Sequence, residues 1–240
     1  MIARKAAQGF TLVEVAIVTV IAGLLVGGVL KGQELVNQAR AKSLINDLNG
    51  VQAAVLAYRD RYNTWPGDDQ TAADRWGPTF SAASGNGTGQ IDGGYHEMTT
   101  PAESADPTLL TTAARTTGVG ESKVFWWHMR IAGFVYGPVS GPGAADLPVT
   151  AAGGILGIQG LPVAGFMSGI LACANDVADK SAIAVDGQID DLRPMLGIVQ
   201  ALEQTTGAGL QSLATLLTAR ARIPDYVEGQ AGRYTVCRQL

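Results

Sequence analysis

"GFTLVEVAIVTVIAGLLVGGVLKG", Gly9 to Gly32, decides how the rest of this chain is read. From Phe10 to Leu30 the run is 21 residues long, and Glu14 is its only charged residue. As a helix it would span about 31 Å, the thickness of a bilayer's hydrocarbon core. Glu14 sits near its start, where an ionised carboxylate is costly. Only nine residues precede Phe10.

The run by itself admits more than one reading. A cleaved secretory signal peptide needs a basic start, an apolar stretch and a small-residue cut site. Arg4 and Lys5 supply the start, but the first Ala-x-Ala pattern is at Ala39 to Ala41, well past Leu30. A plain signal anchor also accounts for the run. Basic residues flank both ends (Arg4 and Lys5 before; Lys31, Arg40 and Lys42 after), so they do not set its orientation alone.

The leader MIARKAAQG, then Phe10, then Thr-Leu-Val-Glu14 and an unbroken apolar run resemble the N-terminus of type IV pilins and their pseudopilin relatives. The resemblance implies that a prepilin peptidase/methyltransferase cuts between Gly9 and Phe10 and methylates the new amine of Phe10. It also gives Glu14 a role in assembly, meeting the Phe10 amine of a neighbouring subunit. A buried amine and a buried carboxylate are each costly alone and tolerable as a pair, so such a contact sets axial register. Many relatives carry a proline near the end of the apolar run, where this chain has Lys31. Gly23, Gly27, Gly28 and Gly32 lower helix propensity there instead.

After Lys31 the pattern becomes one-sided. Ala41, Leu44, Leu48, Val51, Val55, Tyr58 and Tyr62 step by three and four, a helical stripe one face wide. Arg40, Lys42, Asp47, Gln52, Arg59 and Asp60 fall on the other face. One helix from about Phe10 to Tyr62 is therefore expected, its second half packed on a globular body. A short two-stranded coiled coil shows the same stripe. "WPGDD" (Trp65 to Asp69) ends it, because Pro66 cannot continue a helix and Gly67 permits a turn.

A stretch of little periodicity runs to about Gly120. Within it "SGNGTGQIDGG" (Ser84 to Gly94) echoes a calcium loop through Asn86, Thr88 and Asp92. The match lacks acidic residues at the first, third and fifth places, and the twelfth is Tyr95. A glycine-rich turn is the expectation, with no metal and no cofactor. "ESKVFWWHMRIAGFVYG" (Glu121 to Gly137) reads as a second helix, with His128 as a packed residue rather than a ligand. Short strands are expected at Gly154 to Ile158, Val163 to Cys173, Gly197 to Leu202 and Arg233 to Arg238. "DVADKSAIAVDGQIDD" suggests a helix and a turn, and a further helix is expected from Gln204 to Ala221. Asp186, Asp190 and Asp191 invite a metal reading, against which stands ordinary turn capping.

Composition narrows the function classes. The net charge is −4, which points away from general nucleic-acid binding. No phosphate-binding loop, His-Glu-x-x-His or Gly-x-Ser-x-Gly occurs, so nothing indicates an enzyme. Two cysteines are too few for a disulfide scaffold or a four-cysteine zinc site. The family resemblance implies one bridge, Cys173 to Cys237, tying the last strand to the middle of a sheet; two buried free thiols are the alternative.

The expected fold is α+β and pilin-like: a long N-terminal helix on an antiparallel sheet, with extra loops and short helices. Residues 1–9 form the leader, 10–30 the transmembrane and filament-core helix, 31–63 its amphipathic half, and 64–240 the head. The resemblance implies storage in the inner membrane, body in the periplasm, then polymerisation with other pilins into a filament. A pseudopilin of a type II secretion system and a membrane-anchored binding domain that never polymerises are the alternatives.

Overall fold

The computed structural model describes residues 11–80, 82–98, 100–105, 108, 110, 120–160, 166–204, 211–219, 226 and 232–240. Its spine is α1, Leu12–Tyr62, 51 residues long. The helix ends where Asn63 turns left-handed (φ 54°) and its N–H donates to Arg59 O, an αL stop that asparagine tolerates. The buried residues of α1 are Ala41, Leu44, Leu48, Val51, Val55 and Tyr58, the stripe expected from the sequence. Residues 11–36 are exposed throughout.

Further along come α2 (Ala72–Phe80), α3 (Pro101–Ala105), α4 (Glu121–Ile131), β1 (Leu156–Gln159), β2 (Leu171–Ala178), α5 (Asp179–Ile189), β3 (Val199–Glu203), α6 (Leu213–Ala219) and β4 (Arg233–Gln239). The four strands form one antiparallel sheet in the order β1-β2-β4-β3. The long helix on this sheet gives an α+β, pilin-like arrangement. One face packs Ile158, Ala172, Ala174, Val199, Tyr234 and Val236 against the α1 stripe, with Ala182 and Val185 of α5 beside it. The other face carries a second core: Tyr95, Met167, Leu171, Leu202, Leu213, Leu216 and the Cys173–Cys237 disulfide. The two cysteines are register partners on neighbouring strands. Gly157 lets the 91–95 loop lie on the sheet, since a Cβ there would sit 1.8 Å from Tyr95 O.

Several boundaries differ from the sequence expectation. The second helix stops at Ile131, because Gly133 turns at φ 79° and Phe134 N folds back to Met129 O. Strand β2 begins at Leu171 rather than Val163 and runs on through Asn175 and Asp176 to Ala178. Those polar residues stay in the strand because Asn175 Oδ1 accepts from Ile155 N and Asp176, at φ 56°, carries an irregularity in the register. In the 204–221 segment the described helix is Leu213–Ala219; residues 205–210, 220 and 221 lie outside the described residues. Helices α2 and α3 occupy part of the stretch expected to be loop.

Both outer edges of the sheet are covered. Leu156 N and Gly160 N, at the ends of β1, donate to Pro148 O and Ile91 O. On the far side, Val199 N donates to Asp190 Oδ2 and Ala201 N to Pro194 O. Such cover removes the open strand edge on which another chain would pair.

Candidate assembly site

The exposed start of α1 carries the chemistry. It holds an apolar window of 18 residues, none of which is buried by the rest of the chain. By length and composition it is able to cross a membrane. Gly9 and Phe10 lie outside the described residues; Thr11 and Glu14 form the first turn. Thr11 N donates to Glu14 Oε2 at 2.8 Å, Thr11 Oγ1 donates to the same oxygen at 2.9 Å, and Glu14 N donates to Thr11 Oγ1 at 3.3 Å. This is a capping box, in which side chains satisfy amides that have no partner within the helix. Sequence reasoning singled out Glu14 and passed over Thr11. The signal was present, since Thr-x-x-Glu before an apolar run is the usual form of this cap.

A match to the prokaryotic N-terminal methylation motif covers residues 4–30. The chain carries the type IV pilin/pseudopilin signal. No curated protein and no solved structure is significantly similar to it. The prepilin-type signal and the apolar helix that follows it fit a membrane-anchored precursor.

The other sequence candidates are spent on holding the head together. In the loop after Ser84, backbone amides point inward onto carboxylates. Asp68 accepts from Thr88 N and Gly89 N at 2.9 and 2.7 Å, and Glu121 accepts from Asn86 N and Asp92 N at 2.8 and 2.9 Å. Asn86 Nδ2 in turn donates to Asp92 Oδ2 at 3.1 Å. A calcium loop needs the opposite polarity, with oxygens converging on its centre. Burial pushes the Glu121 carboxyl up to about 7, with Asp68 and Asp92 adding repulsion and the two amide bonds opposing them. Gly67 sits beside this knot at φ 92°, and a Cβ there would lie 2.6 Å from Glu121 O.

His128 is fully buried. Its Nδ1 accepts from Gly67 N at 3.0 Å, which leaves Nε2 to donate to Ala83 O at 2.7 Å. Burial lowers its pKa to about 4, so the ring is neutral. Tyr58 stacks parallel to it and donates to Asp69 Oδ2 at 2.7 Å, joining the end of α1 to the "WPGDD" turn. The carboxylates of Asp186, Asp190 and Asp191 approach within 4.8 Å of one another. Each accepts a local amide: Leu192 N, Val199 N and Arg193 N respectively. Asp186 also takes the Tyr226 hydroxyl at 2.7 Å. That is the pattern of turn capping.

Proposed function

We propose that this chain is a structural subunit of a type IV pilus-like filament. In this reading residues 1–9 are removed by a prepilin peptidase, and Phe10 becomes the methylated N-terminus. Residues 10–30 hold the precursor in the inner membrane and later form the filament core, while residues 31–63 tie that core to the head, 64–240. The observation that supports it most is the division of α1. Its apolar, signal-bearing start is bare of the chain's own packing, and its second half is buried in a folded head. Some 25 residues of exposed helix demand another apolar partner, either lipid or like helices. With the described sheet edges covered, side-by-side helix packing is the available route of growth. The Phe10 amine then meets Glu14 of its neighbour, and one stagger neutralises both.

Shearing cells of the native host and weighing the released protein tests this. The expected result is sheared filaments whose subunit begins at methylated Phe10. A chain beginning near Lys42 would mean an ordinary signal peptide and defeat the reading. Correctly processed protein confined to the periplasm would assign it to a secretion pseudopilus instead.

A further inference from the structure

The last turn of α1 borders an open cleft of about 560 Å³, whose other wall is the turn at 87–89. That wall is held in place, because Asp68 accepts from both Thr88 N and Gly89 N. At Gly89 (φ 84°) a Cβ would meet nothing within 4 Å, so the backbone there faces open space. Across the cleft, Arg59 stands over the Trp65 ring with its Cζ 3.8 Å from the centroid. The stacking steadies the guanidinium and leaves its in-plane N–H fork free to donate. Among the described residues no hydrogen bond or ion pair engages the side chains of Arg59, Asp60, Asn63 or Thr64, all four of which line the cleft. Leu56, 53% exposed, adds an apolar wall.

We propose that this cleft binds an acidic sugar, a hexuronate within a short oligosaccharide. The Arg59 fork matches a carboxylate through two parallel hydrogen bonds. Asp60 accepts from sugar hydroxyls, and the Asn63 amide and Thr64 hydroxyl bond them in either sense. The C–H face of the sugar ring covers Leu56. The charges select against other ligands. A phosphate dianion would meet Asp60 and Asp68 with about twice the repulsion that a carboxylate does. A neutral sugar would leave the Arg59 fork unanswered, and a carboxylate without hydroxyls would leave Asp60 and Thr64 so. A lipid headgroup is out of reach, since Arg59 stands 29 residues past Leu30, about 44 Å of helix. The site needs only the packed half of α1 and the head, so it exists whether or not the chain polymerises.

The test titrates the full chain in detergent with cellobiouronate, a disaccharide carrying one carboxylate, read by saturation-transfer NMR. The wild type is expected to bind it with a Kd below about 1 mM. Cellobiose, acetate and inorganic phosphate should each bind at least about tenfold more weakly. Arg59→Gln should weaken cellobiouronate about tenfold and leave cellobiose unchanged, and Arg59→Lys should recover little. Urea midpoints of wild type and Arg59→Gln should agree, because Arg59 is exposed and has no described polar partner. If Arg59→Gln shifts the midpoint, Thr64→Val decides: it should weaken cellobiouronate and leave acetate unchanged. No saturable binding, equal binding of cellobiouronate and cellobiose, or equal binding by wild type and Arg59→Gln overturns the site. Phosphate bound as tightly as the sugar would make the cleft a simple anion site and overturn the sugar assignment.

Discussion

Arg238 Nη2 donates to Gln52 Oε1 at 2.7 Å, while Nη1 reaches Asn49 Oδ1. The last strand thus grips the long helix on both sides of Gly50, the one glycine between Ala41 and Tyr58. Glycine there costs helix stability, about 1 kcal/mol relative to alanine. The guanidinium spans the weak point at the cost of its own partial burial, which lowers its pKa.

Arg238→Ala should destabilise the full chain in detergent by about 1.5–3 kcal/mol, the usual worth of hydrogen bonds to a charged group. Arg238→Lys should recover little of this, because an ammonium on a flexible stem does not bridge both amides as the planar fork does. Urea unfolding of the three proteins measures the difference.

The Thr11–Glu14 cap predicts a division of labour at the N-terminus. Glu14→Ala should leave cleavage and membrane insertion intact but impair assembly, since in the proposed filament the Phe10 amine loses its partner at a cost of about 3–5 kcal/mol when fully buried. Thr11→Val should leave Glu14 available to that amine while removing the side-chain half of the cap, a loss of about 1 kcal/mol. Immunoblots of pool and sheared fraction separate the two effects. Equal assembly by both variants would show that Glu14 acts only as a cap.

Calcium should not bind the 84–94 loop with useful affinity. Its amides already face Asp68 and Glu121, and Asp92 is engaged by Asn86. Calorimetric titration should show no micromolar site, and such a site would refute the inward-amide geometry.

Glu121 gives the head a distinctive pH response. Its folded pKa, about 7, lies above its ordinary value of 4.5. Its contribution is therefore fully present below about pH 4.5 and is lost as pH rises through 7. Neutral His128, lowered to about 4, works in the opposite sense, adding stability as pH rises from 4 to 6.5. The wild-type profile mixes the two, so the useful quantity is the difference between it and Glu121→Gln. Across pH 4.5 to 7 the wild type should lose on the order of 2 kcal/mol relative to the variant. A pH-independent difference would place the folded pKa near its ordinary value.

Reduction of Cys173–Cys237 should lower the melting temperature sharply. The bridge closes 64 residues of sequence separation, for which chain entropy gives about 4 kcal/mol. Both cysteines are 0% exposed, so reductant should act only when the sheet opens. Rapid reduction of the native head would contradict that burial.

The long helix was legible because its cause is local. Apolar residues at three- and four-residue steps from Ala41 to Tyr58 mark a helix whatever that face packs on, and the apolar run before them continues it at membrane-spanning length. The cysteine pairing was accessible through family resemblance. The head's knot was not legible. Asp68 with Gly89, Gly67 with His128 and Tyr95 with Gly157 are side-chain or backbone contacts across 21 to 62 residues, with no periodic trace in the sequence. Helix α2 was hidden for the opposite reason: Gly77 and Pro78 lie inside Ala72–Phe80 and advertise a turn.

The covered strand edges bear on life before assembly. In the filament reading proposed above, precursors waiting in a membrane are confined to two dimensions and jostle at densities a solution would not reach. Heads with bare β edges would fuse there at random, and no later step would sort them. By giving Val199 N to Asp190 and Leu156 N to Pro148, the head leaves those edge amides unavailable to its own kind. A crowded reservoir can then be drawn down one molecule at a time.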